Sequence, residues 1–286
     1  MGARGLGAYI AVVIGVASPV LAIDPPSTLD NVVILARTAV GMTQYIRHAT
    51  GQIVVNDPGG VATLRRSVNG LAGTQFVADS IAVRGGRGRR AHGPELYDVL
   101  ANTPDARIIV DGQQALLPNL PVFTTFPSTP VFVPGTNNVV VNARHGPVTL
   151  PPGDYGKITV KGGALLYFSG GTYNAKSLRA SGHARLYFEG PTTLNVQDSA
   201  RFGQRALLGP LVESQLNARC IVFNYAGTRP IKFAGSANIT AMVVAPNAIM
   251  KLGAFGDYRG TFVAAKVLVG RSALLEAALP LTSPCQ

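Results

Sequence analysis

Residues 161–180 read KGGALLYFSGGTYNAKSLRA, and residues 181–200 read SGHARLYFEGPTTLNVQDSA. Laid over one another at an offset of 20, they match at Gly162/Gly182, Ala164/Ala184, Leu166/Leu186, Tyr167/Tyr187, Phe168/Phe188 and Gly170/Gly190. Each half holds a short apolar run bounded by glycines. Such a run is too small to bury its own apolar face, so the stable arrangement stacks one copy on the next. In an extended strand successive side chains point to opposite sides. Leu166 and Phe168 therefore share one side with Leu186 and Phe188, while Tyr167 and Tyr187 share the other.

The same periodicity reaches outward in both directions. Phe76-Val77-Ala78, with Ile81 and Val83, has the spacing of Phe262-Val263-Ala264 with Val267 and Val269. Val244-Ala245 stands 19 residues before Val263-Ala264, with Ile249 answering Leu268, and Gly153-x-Tyr155 recurs 18 residues later as Gly171-x-Tyr173. Spacings of 18 to 20 are too short for a helix-pair repeat and suit a coil of three short strands and three turns. The expected fold is all-β, a single-stranded right-handed parallel β-helix with roughly 18–20 residues per rung. About 10 to 13 such rungs, 4.8 Å apart, make a rod on the order of 50–60 Å long. Glycines 162, 163, 170, 182 and 190 are expected to supply corners with positive φ.

Between the two repetitive blocks the pattern breaks. Residues 84–93, RGGRGRRAHG, form a basic, glycine-interleaved loop; residues 94–100 fit a helical turn or two; residues 118–134 hold five prolines. Proline removes ladder donors and favours extended, unpaired chain. With Val122, Phe123, Phe126, Val131 and Phe132 as apolar anchors, this stretch reads as a connector lying along the outside of the stack. The expected organisation is a leader over 1–22, N-terminal rungs over 23–93, the proline-rich connector over 94–138, and the main rungs with a C-terminal cap over 139–286.

Composition agrees with a repetitive β structure. The chain has 286 residues, with 33 Gly, 20 Pro, no Trp and 14% charged residues, against about 25% charged in an average domain. Its 47% hydrophobic content supplies ample surface to bury, which excludes a disordered chain. Arg4, the apolar run 8–16 and the small residues Val20 and Ala22 have the layout of a secretory signal peptide cleaved between Ala22 and Ile23. No later segment reaches the roughly 20 apolar residues of a membrane span. The expected location is the periplasm, cell surface or exterior. Formal net charge is +11, or +10 once the single leader arginine is removed, and this favours anionic partners such as acidic polysaccharide. Cys220 and Cys285, bound for an oxidising compartment, are expected to form a disulfide. Its loop of about 65 residues is worth roughly 4 kcal/mol on the chain-entropy model.

The strings LPPGDYGKITVKGGA, FSGGTYNAKSL, MVVAPNAIMKLG and GTFVAAKVLVG resemble exported bacterial proteins that carry an uncharacterised right-handed β-helix domain, also found attached to type IV pilus assembly proteins. A looser similarity extends to β-helical ice-binding adhesins. The resemblance implies the fold and a cell-envelope or surface location, and it brings no catalytic residues. The chain departs from the pilus-associated members in lacking a prepilin-like N-terminus.

Chemistry is sparse. A glycosidase needs two carboxylates roughly 5–10 Å apart, and the acids to weigh are Asp154, Glu189, Asp198, Glu213 and Asp257. Asp198 with His183 is the weak catalytic candidate. His48, His92, His145 and His183 are scattered, and neither metal-ligand spacing nor a cofactor motif is present, so no metal and no cofactor is expected. Arg84, Arg87, Arg89 and Arg90 form the anion-binding candidate, since guanidinium groups grip phosphate, sulfate or carboxylate. No aromatic interleaves them, so no nucleic-acid signature is read there. The leading expectation is an exported, non-enzymatic structural or adhesive protein that binds anionic polymers, with a polysaccharide lyase or hydrolase as the alternative. Open sheet edges at the rod ends invite end-to-end self-association.

Overall fold

The computed structural model describes residues 29–65, 67–71, 74–84, 97–104, 114–115, 120–214, 216–278 and 285. All strands join one 21-stranded sheet whose pairings are parallel throughout, wound into a β-solenoid of about ten turns with almost no helix. A fully described rung presents three faces. Taking rung 3 as the pattern, Gly171–Ala180 makes face A with its first half and face B with its second, and Arg185–Phe188 makes face C. Below it lie rung 2 (Gly153–Val160, Leu165–Phe168) and rung 1 (Val139–Val141, Val148–Leu150); above it lies rung 4 (Thr192–Phe202, Leu207–Pro210).

The expected stacking of like on like is present. Leu166 pairs Leu186, Tyr167 pairs Tyr187 and Phe168 pairs Phe188. The two phenylalanine rings stack with centroids 4.9 Å apart, fully buried, a contact worth about 0.5–1.5 kcal/mol beyond the area it removes from water. The tyrosines stack on the outside at 5.6 Å. Alternation along each strand thus decides which column becomes core.

Stacking order and chain order differ. Rung 5 (Ile221–Tyr225, Ile231–Phe233) passes into Asn238–Leu252, which serves rung 6, and Asp257–Val269 with Leu274–Glu276 closes rung 7. The next rung up is then the start of the chain: Val32–Met42 lies parallel on Asp257–Val269, with Ile34 on Phe262 and Val40 on Val267. Rung 9 (Gln52–Val55, Val61–Arg65, Asn69–Gly70), rung 10 (Thr74–Arg84) and rung 11 (Tyr97–Pro104) continue the stack. The Phe262 and Phe76 units therefore share one core column through Ile34 and Ile53. Among the described residues, the first and the last strand blocks thus pair with each other inside the rod.

Four details depart from the sequence expectation. Residues 97–104 are strand, where a helical turn was expected over 94–100. A register shift after Ala245 puts Ile249 opposite Lys266 and Lys251 opposite Leu268. Tyr155 pairs Ala175 and Gly153 pairs Tyr173; the two Gly-x-Tyr strings are offset by two residues, although their rings still stack at 6.4 Å. At the corner between faces B and C the positive φ falls on Gly163, His183, Arg205, Ser236, Phe255, Ser272, Tyr45 and Ser67, at 50–74°, while Gly162, Gly182 and Gly190 are not among the residues with positive φ. A repeated left-handed residue turns the chain there, and most rungs use a side-chain-bearing residue despite its steric cost.

Residues 120–138 lie along the outside of the stack, on face A. Phe123 and Phe126 pack on a column of Leu35, Val54, Val77, Val244 and Val263. The Asn56 side chain clamps Phe123 twice, accepting from its N–H at 2.7 Å and donating to its carbonyl at 3.1 Å. The Arg37 guanidinium covers the Phe126 ring at 4.6 Å. Lower down, Asn137 accepts from Gly156 N–H at 2.7 Å; a Cβ on Gly156 would stand 2.7 Å from the Thr136 carbonyl oxygen, so glycine is what lets the segment pass. The descent from rung 9 to rung 2 is about 34 Å at 4.8 Å per rung. Polyproline II from Phe123 to Asn137 spans about 43 Å at 3.1 Å per residue, so the unpaired prolines supply the needed reach. Val122, Val131 and Val133 are exposed and do not act as anchors.

Lower on face A, Asp154, Asn174, Asn195 and Asn224 form a ladder, each Asn Nδ2 donating to the Oδ1 below at 2.7, 2.7 and 2.9 Å. Between rungs 4 and 5 an insertion carries two 3-10 turns, Val212–Ser214 and Ala218–Cys220. It brings buried Arg219 to Asp30 and joins Cys220 to Cys285 in a disulfide, with Cα atoms 5.4 Å apart.

Candidate functional site: a cationic ladder on face B

Face B is built from tripeptides in which two apolar residues point inward and the middle one points out: Leu178-Arg179-Ala180, Ala200-Arg201-Phe202, Ile231-Lys232-Phe233 and Met250-Lys251-Leu252. The flanking residues of all four are buried and the middle ones exposed. Parallel pairing puts Arg179 on Arg201, Arg201 on Lys232 and Lys232 on Lys251. Four cations thus stand in one column over four consecutive rungs, at the spacing of about 4.8 Å that backbone hydrogen bonding imposes. Below them the column holds Thr159; above them it turns to Leu268, Gly41, Thr63 and Ala82.

These side chains line a shallow recess of about 730 Å³, joined by Lys157 and Arg229. Hydroxyls flank the cations, since Lys157, Ser177 and Ser199 form the adjacent column. Burial pushes the Tyr225 hydroxyl above its usual range while Arg229 pulls it down. The ion pairs among the described residues lie elsewhere, at Arg219–Asp30 and at Arg259 with Asp257 and Glu276. Like charges directly opposite on neighbouring strands are destabilising, so a column of four without an interleaved acid costs stability.

The residues expected from sequence fall differently. Arg84 ends the rung 10 strand, exposed, in register with Arg65, well above the ladder; with Lys266 both line a second face-B recess of about 470 Å³. Arg87, Arg89 and Arg90 lie outside the described residues, as does the leader over 1–22. His183 is an exposed turn residue at the B/C corner with φ 61°. Asp198 sits at the A/B corner, where its carbonyl accepts from the Tyr225 hydroxyl at 3.0 Å. The width of face B, four extended residues or about 13 Å, separates the two corners. The other acids are dispersed: Asp154 ends the asparagine ladder on face A, Glu189 follows face C, Glu213 is in the insertion, and Asp257 is held by Arg259 on face C. Among the described residues no group of three or more His, Cys, Asp or Glu is placed to hold a metal ion.

On face C the Tyr167/Tyr187 column is interrupted at Gly209. Beside that glycine lies a recess of about 370 Å³ between Tyr187 and Thr240. The tyrosine pair is legible in the repeat, whereas the signal of the cationic ladder is an apolar-cation-apolar tripeptide recurring at uneven intervals.

Fold and site define a parallel β-solenoid with one cationic face, and among the described residues no helix is long and apolar enough to cross a membrane. No protein-family model matches the chain, and no curated protein sequence matches it. Among solved structures, the chain is similar to a glycosylated ice-binding protein from an Arctic yeast, with 14% identity over 91% of this chain and 96% of that one at a TM-score of 0.37. It is also similar to an ice-binding protein from an Antarctic Flavobacteriaceae bacterium, with 9% identity over 90% and 98% at a TM-score of 0.33.

Proposed function

We propose that the protein is an exported, non-enzymatic β-solenoid that works as a structural or adhesive module at the cell surface by holding anionic polymers against face B. The observation that carries this reading is the register of Arg179, Arg201, Lys232 and Lys251. A rigid column of like charge has a standing electrostatic cost, and an extended polyanion is the partner that relieves it along its whole length. Export is supported by the leader-like N-terminus and by the disulfide, which belongs in an oxidising compartment.

The test is retention on immobilised dextran sulfate against neutral dextran at low ionic strength. The wild-type protein is expected to bind the former alone. The variant carrying Arg179→Gln, Arg201→Gln, Lys232→Gln and Lys251→Gln is expected to lose that retention while keeping its circular dichroism spectrum. Equal retention of folded variant and wild type refutes the reading.

A further inference from the structure

We infer that the polymer held on face B is a linear polyuronate lying parallel to the solenoid axis, with one carboxylate engaged per rung. This rests on the anionic-polymer reading above and narrows it.

Direction follows from the shape of the charge. The cations form a column one residue wide and four rungs tall. A chain crossing face B sideways meets one of them, and a chain running along the axis meets all four. Spacing follows from the scaffold. The step between cations is set near 4.8 Å by interstrand hydrogen bonds, and cannot adapt as a flexible loop does. An extended uronate chain advances by about one sugar ring per carboxylate, which is the same order as one rung.

The chemistry of the recess separates the classes of polyanion. Ser177 and Ser199 stand beside Arg179 and Arg201 in the neighbouring column, with Thr159 beneath. A partner that alternates carboxylate with hydroxyl matches cations that alternate with hydroxyls across the face. Arg179 and Arg201 offer planar forks suited to bidentate carboxylate binding. No aromatic side chain lines the recess, so the stacking platform of single-stranded nucleic acid binding is missing from it. Duplex DNA presents a phosphate every 3.4 Å per strand on a winding path, which leaves a straight 4.8 Å column after a few steps. Length follows from where the charge stops. Above Lys251 the column becomes Leu268 and Gly41, and below Arg179 it becomes Thr159. The site is complete with about four sugars, or slightly more where Lys157 and Arg229 reach a chain end.

Calorimetric titration of the whole protein with oligogalacturonates of increasing length tests this. Affinity is expected to rise with each sugar up to four or five and then level off. The salt dependence of log K is expected to steepen to a slope near −3, about −0.7 per engaged charge for a single-stranded polyanion. The Gln variant at all four cations is expected to lose the length dependence, and carboxyl-reduced oligomers are expected not to bind. A digalacturonate that binds as tightly as the tetramer overturns the axial, one-per-rung arrangement. Single-stranded DNA or dextran sulfate binding more tightly than tetragalacturonate through the same four residues overturns the uronate assignment while leaving anion binding in place. Binding of every polymer unchanged in the Gln variant overturns both.

Discussion

The stability of the rod should rise when its binding face is disarmed. Arg201 and Lys232 are the inner members of the ladder, so the double variant Arg201→Thr, Lys232→Thr removes all three like-charged contacts, Arg179/Arg201, Arg201/Lys232 and Lys232/Lys251. Threonine keeps the strand preference of these exposed positions. Favourable cross-strand pairs are worth roughly 0.2–1 kcal/mol and like charges directly opposite are destabilising; taking the same scale for the three contacts removed, the variant is expected to gain about 1–2 kcal/mol at low ionic strength. For a chain of this size that corresponds to a melting temperature higher by about 2–8 °C. Because the effect is Coulombic between exposed groups, it should fade at 1 M salt, where the screening length is about 3 Å. Thermal unfolding followed by circular dichroism at low and high salt reads both quantities. A variant that melts below the wild-type protein at low salt, or gains as much at 1 M as at low salt, refutes the claim that the ladder is a strained electrostatic feature. It would also remove the reason for assigning the column to a ligand, since functional sites are where proteins trade stability for binding.

Two further outcomes concern buried polar side chains. Asn195→Ala takes the middle out of the asparagine ladder: it removes the acceptor for the buried Asn224 amide and the donor to Asn174. The expected loss is about 2 kcal/mol in denaturant unfolding, with Asn174→Ala, nearer the exposed end at Asp154, costing less; equal losses would contradict a burial-driven effect. His48 sits fully buried in the inward column of face C, between Leu275 and Gly70. Burial lowers its pKa from 6.5 to about 3, against hydrogen bonds to the backbone of Thr50 and Gly51 that raise it. The unfolded chain therefore binds a proton that the folded chain refuses between about pH 3 and 6.5, and stability is full above 6.5 and falls as pH drops through that window. At pH 5 the loss amounts to about 2 kcal/mol. Unfolding free energies at pH 7 and 5 should show it in the wild-type protein and show it reduced in His48→Leu; an unchanged pH slope in the variant would place the titration elsewhere.

Much of the architecture was legible because the core columns repeat residue types. Leu-Tyr-Phe over Leu-Tyr-Phe, and Phe-Val-Ala recurring in one column with Ile34 and Ile53 between the two copies, are recognisable without knowing the connections, since the column chooses the residue and the chain order does not matter. The outward columns were not legible for the same reason inverted. Solvent tolerates many residue types, so only the register identifies a column, and the register is uneven. Successive members of the asparagine ladder are 20, 21 and 29 residues apart, the last step stretched by the insertion that carries Arg219 and Cys220. Arg201 and Lys232 straddle that insertion and stand 31 residues apart, so no fixed offset brings them together. The basic loop at 84–90 drew notice because its arginines are adjacent in sequence; the ladder cations are adjacent only in space.

The charge column of face B ends one rung below the place where chain order breaks. Rungs 3–6, which carry the cations, come from residues 171–258, and the rungs stacked above the break come from the N-terminal block. At the junction Leu268 lies over Gly41, where a Cβ would stand 3.0 Å from its Cδ2, so the first outward position of the N-terminal block is filled from the rung below. Inside, Phe262 stacks on Ile34, and on face A the Thr261 hydroxyl donates to the Val32 carbonyl at 2.8 Å. Two blocks that are not consecutive are thus sealed on the inside and on two faces, and the connector spans the seam through Phe126 and Arg37. The charge column ends at Lys251, and Leu268, on the last rung below the seam, begins the uncharged run that Gly41, Thr63 and Ala82 continue above it. A polyanion aligned on Arg179 to Lys251 therefore meets the Leu268 side chain one rung before the N-terminal block, and the finite length of the charged site is set by that outward leucine, which also leans on Gly41 across the seam.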